Sequence, residues 1–295
     1  MKLGILAAIV FAAAFGSARP AVAKTLELRP VAPWNMHYDT DSCVLRRAFG
    51  GVEQRTHLEM RRFQPGVGLQ TTVATKAMRM TRRDFRYRFD PKTEWQDAVM
   101  ANYVYFAEDF EGIIFTPLLI DLPFGRKPEA KEVEQFFKTA DLEALEAEAG
   151  DQVRSITISR AFRDDLVLKT GPLKAPLTAL NACIDELLNH WGIDVEAHKT
   201  LTRPATPRNV EEMGRRIPYP PKMLARRLPG IVNVRLNVDE SGAVSGCHIQ
   251  MDLSDPAFES ATCTTLQKAL KFDPALDKNG NPIASYWINR VHFRA

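Results

Sequence analysis

Between Tyr219 and Phe293 the chain runs through one fixed order: a short helix, a strand, a tight turn, a strand, a cysteine-bearing helix and a last strand. Val232, Val234, Leu236 and Val238 alternate with Asn233, Arg235 and Asn237, the period of a half-buried strand. Asp239-Glu240-Ser241-Gly242 supplies a turn, and the return strand pairs back as a hairpin. Strict alternation places Ala243, Ser245, Cys247, Ile249 and Met251 on one face of that strand, with Val244, His248 and Gln250 on the other. Asp255 is the N-cap and Pro256 the first residue of the next helix. Phe258, Thr262, Leu266, Ala269 and Leu270 form its apolar stripe, with Cys263 at the margin. Upstream, Lys222–Leu228 offers one or two helical turns ending at Pro229-Gly230. Downstream, Tyr286–Arg294 is the final strand, with Trp287, Val291 and Phe293 inward. The expectation is one helix packed on a three-stranded sheet.

The other end of the chain bears on compartment. Lys2, an apolar run from Leu3 to Phe15 and Ala21-Val22-Ala23 have the form of a signal peptide cleaved after Ala23. A membrane-spanning helix needs about 20 apolar residues, more than this run holds before Gly16-Ser17. No later segment is long and apolar enough to span, so the exported product is expected without a stable transmembrane segment. Losing Lys2 and Arg19 lowers the formal charge from +3 to +1. A near-neutral chain gives no case for nucleic acid as a partner.

Four cysteines, Cys43, Cys183, Cys247 and Cys263, suit an oxidising compartment and allow three pairings. Cys247 and Cys263 lie in the C-terminal unit, and Cys43 and Cys183 near the two ends of the segment before it. Position therefore favours Cys43–Cys183 and Cys247–Cys263. A metal site is the weaker reading, because the sequence holds no Cys-x-x-Cys pair and no nearby histidine cluster. Closing the longer loop is worth roughly 4 to 5 kcal/mol by chain entropy.

Residues 196–215 are rich in Thr, Arg and Pro, including Arg203-Pro204 and Thr206-Pro207, and read as an extended linker. They divide a domain over residues 24–195 from one over 216–295. In the first, Trp34–Arg47, Thr56–Phe63, Gly68–Ala74, Asp84–Phe89, Val153–Ser159 and Leu166–Lys169 read as strands. Glu129–Ala149 is acidic and amphipathic, giving one or two helices, and Pro176–Trp191 is a helix with Cys183 in its apolar stripe. The fold class is α+β: an N-terminal β-rich domain with helices, then the helix-on-sheet unit.

Chemistry-bearing motifs are sparse. Gly242-Ala243-Val244-Ser245-Gly246 has its serine one place late for a nucleophile elbow, and no phosphate-binding loop or His-Glu-x-x-His occurs. His37, His57, His190, His198, His248 and His292 are scattered and read as surface or hydrogen-bonded histidines. Asp39 with Asp41, and Asp164-Asp165, are candidate acid/base pairs but read more simply as turn carboxylates. The run from Arg82 to Phe89 turns Phe85, Tyr87 and Phe89 to one side and Asp84, Arg86 and Arg88 to the other: a half-buried strand with a solvated basic face. No catalytic residue, cofactor or metal is expected. A hydrolase carried by residues 24–195 stays open as an alternative.

Tyr219-Pro220, the Gly230-x-Val232 strand start, Val238-Asp239 leading to Gly242-x-Val244, and Leu270-x-Phe272-x-Pro274-Ala275 resemble the TonB C-terminal domain family over about the last quarter of the chain. Full members are anchored energy transducers whose terminal domain grips a short peptide of an outer-membrane receptor, the peptide adding a strand beside the sheet. The resemblance implies a periplasmic interaction module that binds a protein or peptide partner of the cell envelope, an outer-membrane receptor among the candidates. It places the contact on the last strand, at Tyr286, Ile288, Arg290 and His292, with main-chain hydrogen bonds supplying affinity. Against the full transducers, the N-terminal apolar run is short, and a spacer of about 20 residues reaches at most roughly 65 Å. An anchored transducer is the second alternative.

Overall fold

The computed structural model describes residues 24–81, 84–91, 94–98, 101–106, 109–117, 119–120, 129, 131–132, 135–136, 141–251 and 255–294. The expected signal, 1–23, and most of the acidic segment before Asp141 lie outside them.

The N-terminal domain contains β1 (Thr25–Leu28), β2 (Asn35–Tyr38), β3 (Cys43–Phe49), β4 (Thr56–Arg62), β5 (Gln70–Thr75), β6 (Arg86–Asp90), β7 (Gln96–Asp97), β8 (Asn102–Tyr105), β9 (Glu111–Phe115), β10 (Ser155–Ser159) and β11 (Asp165–Leu168). Its helices are α1 (Leu142–Gln152) and α2 (Lys174–His190). One sheet runs β2-β3-β4-β5-β9-β8 and is antiparallel throughout; the other runs β1-β11-β10-β6-β7, with β1 and β11 parallel. Both sheets and α2 bury side chains in one core, among them Leu58, Val73 and Ile113 from the first sheet, Phe89, Ile156 and Leu166 from the second, and Leu180 and Ile184 from α2. Cys43 is bonded to Cys183, fastening β3 to α2.

Trp34–Arg47 is two strands instead of one. Asp39 accepts from the Thr40 amide and the Ser42 hydroxyl, and the Asp39 amide donates to the Ser42 carbonyl, so the chain turns there. β8 and β9 carry too short an apolar run to announce themselves. β9 is nonetheless buried along its whole length, because it pairs with β5 on one side and β8 on the other.

The 196–215 segment is folded and not an extended spacer. It holds most of α3 (Val195–Lys199), β12 (Thr206–Pro207) and the start of α4 (Val210–Arg216). β12 pairs with β15 (Phe272–Asp273), Arg203 donates to the Pro274 carbonyl, and Asn209 ties to the Ala269 carbonyl and the Lys271 amide. Ala205 and Met213 are buried in the C-terminal core. Proline enforces an extended backbone, and an extended backbone is what edge pairing uses.

Beyond it come α5 (Pro221–Ala225), β13 (Gly230–Val238), β14 (Val244–Met251), α6 (Pro256–Ala269), the small β16 (Ala275–Leu276) and β17 (Pro282–Ile283) hairpin, and β18 (Ser285–Phe293). The sheet order is β14-β13-β18. Asp255 caps α6 by accepting from the Ala257 amide, and Phe258, Thr262 and Leu266 face the sheet. Phe258 packs 4.6 Å from Phe293, centroid to centroid, and Tyr219 meets both rings at 5.6 Å. A side chain at Gly230 would sit 2.6 Å from the Phe258 ring, so glycine lets helix and sheet close together. Cys247–Cys263 joins β14 to α6. This core is separate from the N-terminal one.

The register of β14 against β13 shifts twice, at Gln250, between the Asn233–Met251 and Val234–Ile249 pairs, and at Ser245. Asn237 pairs with Gly246 but Val238 with Val244, so Ser245 is the extra residue of a bulge. Val244 therefore packs on the core alongside Cys247 and Ile249, where strict alternation had set it opposite them.

Candidate functional site

The sheet of the C-terminal domain has one face under α6. On the other, register sets Ile231, Asn233, Arg235 and Asn237 of β13 beside His292, Arg290, Ile288 and Tyr286 of β18. That face turns toward the N-terminal domain. Arg235 donates to Asp41 Oδ1 through Nε and Nη2, at 3.2 and 2.8 Å, and its guanidinium lies 3.9 Å from the centre of the Trp191 ring. The Arg235 side chain is only 4 % exposed. Gln250 donates to the Asp41 carbonyl and Trp191 Nε1 to the Thr40 carbonyl. Tyr286 meets Trp191 edge-on at 5.6 Å and stacks on His198 at 5.9 Å, while His198 Nε2 is 2.9 Å from Ser285 Oγ. Burial pushes the Tyr286 hydroxyl up to about 12, and it holds His198 below the usual histidine range.

Beside this contact the two domains part into a cleft of about 390 Å³. Ala101–Val104 and Ile114 form one wall, and Pro229–Ile231 with Arg290, His292, Phe293 and Arg294 the other; Gln70 lies between them. Arg290 spans its floor, donating from Nε to Asn233 Oδ1 at 2.7 Å and from Nη2 to Gln70 Oε1. The backbone edge of β18 opposite β13 carries no strand among the described residues.

The four residues expected to meet a partner thus share one face, and two of them are engaged within the chain: Tyr286 by Trp191 and His198, Arg290 by Gln70. Asp39 and Asp41 do not form an acid/base pair. Asp39 binds Arg61 at 2.9 Å, whereas Asp41 binds Arg235. Ser245 is a bulge residue, and Gly242 is the turn glycine, with φ +82°. Arg86 and Arg88 stack their guanidinium groups 4.3 and 4.7 Å over Trp95, and Phe85, Tyr87 and Phe89 enter the core. Among the described residues no group of three or more His, Cys, Asp or Glu side chains could hold a metal.

Asp41, Trp191 and His198 were not legible as interface residues. Trp191 follows an ordinary helix, and Arg235 lies 194 positions from Asp41. The buried pair Arg62–Glu146, 2.6 Å apart, also had no sequence signal.

The C-terminal domain is thus a helix-backed sheet whose last strand has an open edge among the described residues, set against a disulfide-bonded body. Residues 215–295 match the family model of the Gram-negative bacterial TonB protein C-terminal. Neither the comparison with curated proteins nor that with solved structures returned a match. The family's domain is a non-catalytic protein-interaction module of the cell envelope.

Proposed function

We propose that this is an exported periplasmic protein whose C-terminal domain receives an extended segment of an envelope protein along β18. What carries the reading is the outer edge of a nine-residue strand, unpaired among the described residues, in a domain that matches this family. An added strand satisfies edge N–H and C=O groups with main-chain hydrogen bonds, which are indifferent to sequence; side chains then select the partner. Because Tyr286 and Arg290 already hold the N-terminal domain, affinity resides in the backbone edge more than in a protruding side-chain patch. The two disulfides accord with an oxidising compartment.

Successive residues of a strand present their N–H groups to opposite sides. Of Ile288→Pro and Asn289→Pro, one therefore removes a bond to β13 and the other an N–H on the open edge. The full chain, carrying a photo-crosslinking residue at Arg294, is used against envelope extracts. The expected result is a defined partner that the edge-facing proline abolishes while the fold persists by circular dichroism. A partner captured equally by both folded chains would remove the strand-addition reading.

A further inference from the structure

We propose that the groove between α2 and the β2–β3 face of the N-terminal domain binds a free carboxylic acid with an apolar chain, its carboxylate on Arg47 and its chain along the helix. The groove holds about 590 Å³, inside the ~300–1,000 Å³ range of small-molecule sites. Register pairs Met36 with Leu45, and strand alternation then sets Trp34 beside Met36 and Arg47 beside Leu45 on one wall. On the other wall, Ala175 and Ala179 of α2 are followed at the same four-residue spacing by Cys183, so the three share a stripe of the helix. The Cys43–Cys183 bond holds that stripe against β3. The two exposed alanines are too small to fill the space over Met36 and Leu45, and the groove is what remains.

One end of the groove is cationic. Arg47 donates from Nε to the Ala32 carbonyl at 2.9 Å and from Nη1 to the Thr170 carbonyl at 2.8 Å, which fixes the guanidinium and leaves Nη2 for a ligand. Its guanidinium carbon lies 5.3 Å from the centre of the Trp34 ring, which shields that side from water. Among the described residues Arg47 pairs with no acid, and no acid lines the groove. Lys169 lies at the same end but is tied to Glu27 at 3.0 Å, so Arg47 is the cation that lacks a counter-charge. Burial accordingly pushes the Arg47 pKa down with nothing to offset it. A carboxylate brought to Nη2 supplies the missing charge and gains a charge-assisted hydrogen bond. The Thr170 hydroxyl is spent on the Gly171 carbonyl, and the walls beyond it are ring, thioether and alkyl surface. One anionic head on an apolar chain matches that pattern; a polyhydroxylated molecule does not.

The probe is decanoate, kept below its micelle concentration and measured on the full disulfide-bonded chain by equilibrium dialysis. Decanol and decyltrimethylammonium carry the same tail without the carboxylate. The expected result is saturable binding of one decanoate, with decanol weaker by about tenfold or more and the ammonium weaker still. That comparison needs no altered protein, so it holds even where a variant perturbs the fold. Arg47→Gln should weaken decanoate by about tenfold and leave decanol unchanged, a split that general loss of structure would not give. Ala179→Phe, at an exposed helix position, should fill the groove and remove both ligands. Equal affinity for decanoate and decanol, decanoate binding that survives Ala179→Phe, or no saturable binding at all would overturn the site. Binding of a short-chain anionic phospholipid with decanoate ignored would overturn it as well.

Discussion

The two faces of the C-terminal sheet are built on opposite principles. Under α6 the contact is apolar and continuous: Val232, Val234 and Leu236 meet Phe258 and Leu266, and Cys247–Cys263 closes it covalently. Toward the N-terminal domain the contact is polar and selective, made by Arg235 with Asp41, Gln250 with the Asp41 carbonyl, and a ring cluster of Trp191, Tyr286 and His198. Hydrophobic burial is non-directional and makes a domain; hydrogen bonds and a stacked cation set an orientation. The first face therefore makes a unit with its own core, and the second decides how that unit is held against its neighbour and leaves a cleft beside the contact.

If that division is right, a change on the α6 face should cost global stability. Phe258→Ala empties the centre of the aromatic cluster and should lose about 3–5 kcal/mol in chemical denaturation. A loss confined to local exchange near α6, with the global midpoint unmoved, would mean that the helix is not what holds the sheet.

Asp41→Ala tests the opposite face. It leaves the Arg235 guanidinium buried without its acid, at a cost of about 3 kcal/mol. The loss should appear as faster hydrogen exchange in β13 and β18 and a red shift of Trp191 emission, with the Phe258 cluster still protected. Simultaneous loss of protection in both places would show one cooperative unit where the two faces suggest two.

The smallest effect is on pH. His198, His248 and His292 all belong to the polar side of the sheet, and burial, the leading cause in each, lowers their pKa from the ordinary 6.5. The unfolded chain then takes up protons before the folded one does. Stability is present above 6.5 and is lost as pH falls through the folded values. Among the described residues no histidine is buried in the core under α6. Thermal midpoints should decline on acidification below about pH 6.5, and His198→Gln should flatten that slope. An unchanged slope would remove His198 from the pH response.

Local signals made the C-terminal half of this picture readable. The Asp255-Pro256 start of α6, the alternation in β13 and the apolar stripe at Phe258, Thr262 and Leu266 each act within a few residues, and the structure keeps all three. The Cys43–Cys183 and Cys247–Cys263 bridges are the pairs that position favoured. Ser245 was missed because a bulge depends on how two strands meet, not on either strand's composition. The 196–215 segment was missed because its prolines announce extension without saying what the extended backbone pairs with.

The sequence by itself determined the helix-on-sheet unit, its family resemblance and the pairing of its sulfurs, since helix caps, strand periodicity and loop closure are properties of short stretches or of the covalent chain. Only the tertiary structure decided which face of the sheet would be covered by the rest of the molecule. Asp41, Trp191 and Arg235 come together from distant positions, and the energy of a buried ion pair or a stacked cation exists only once desolvation and distance are set by the fold.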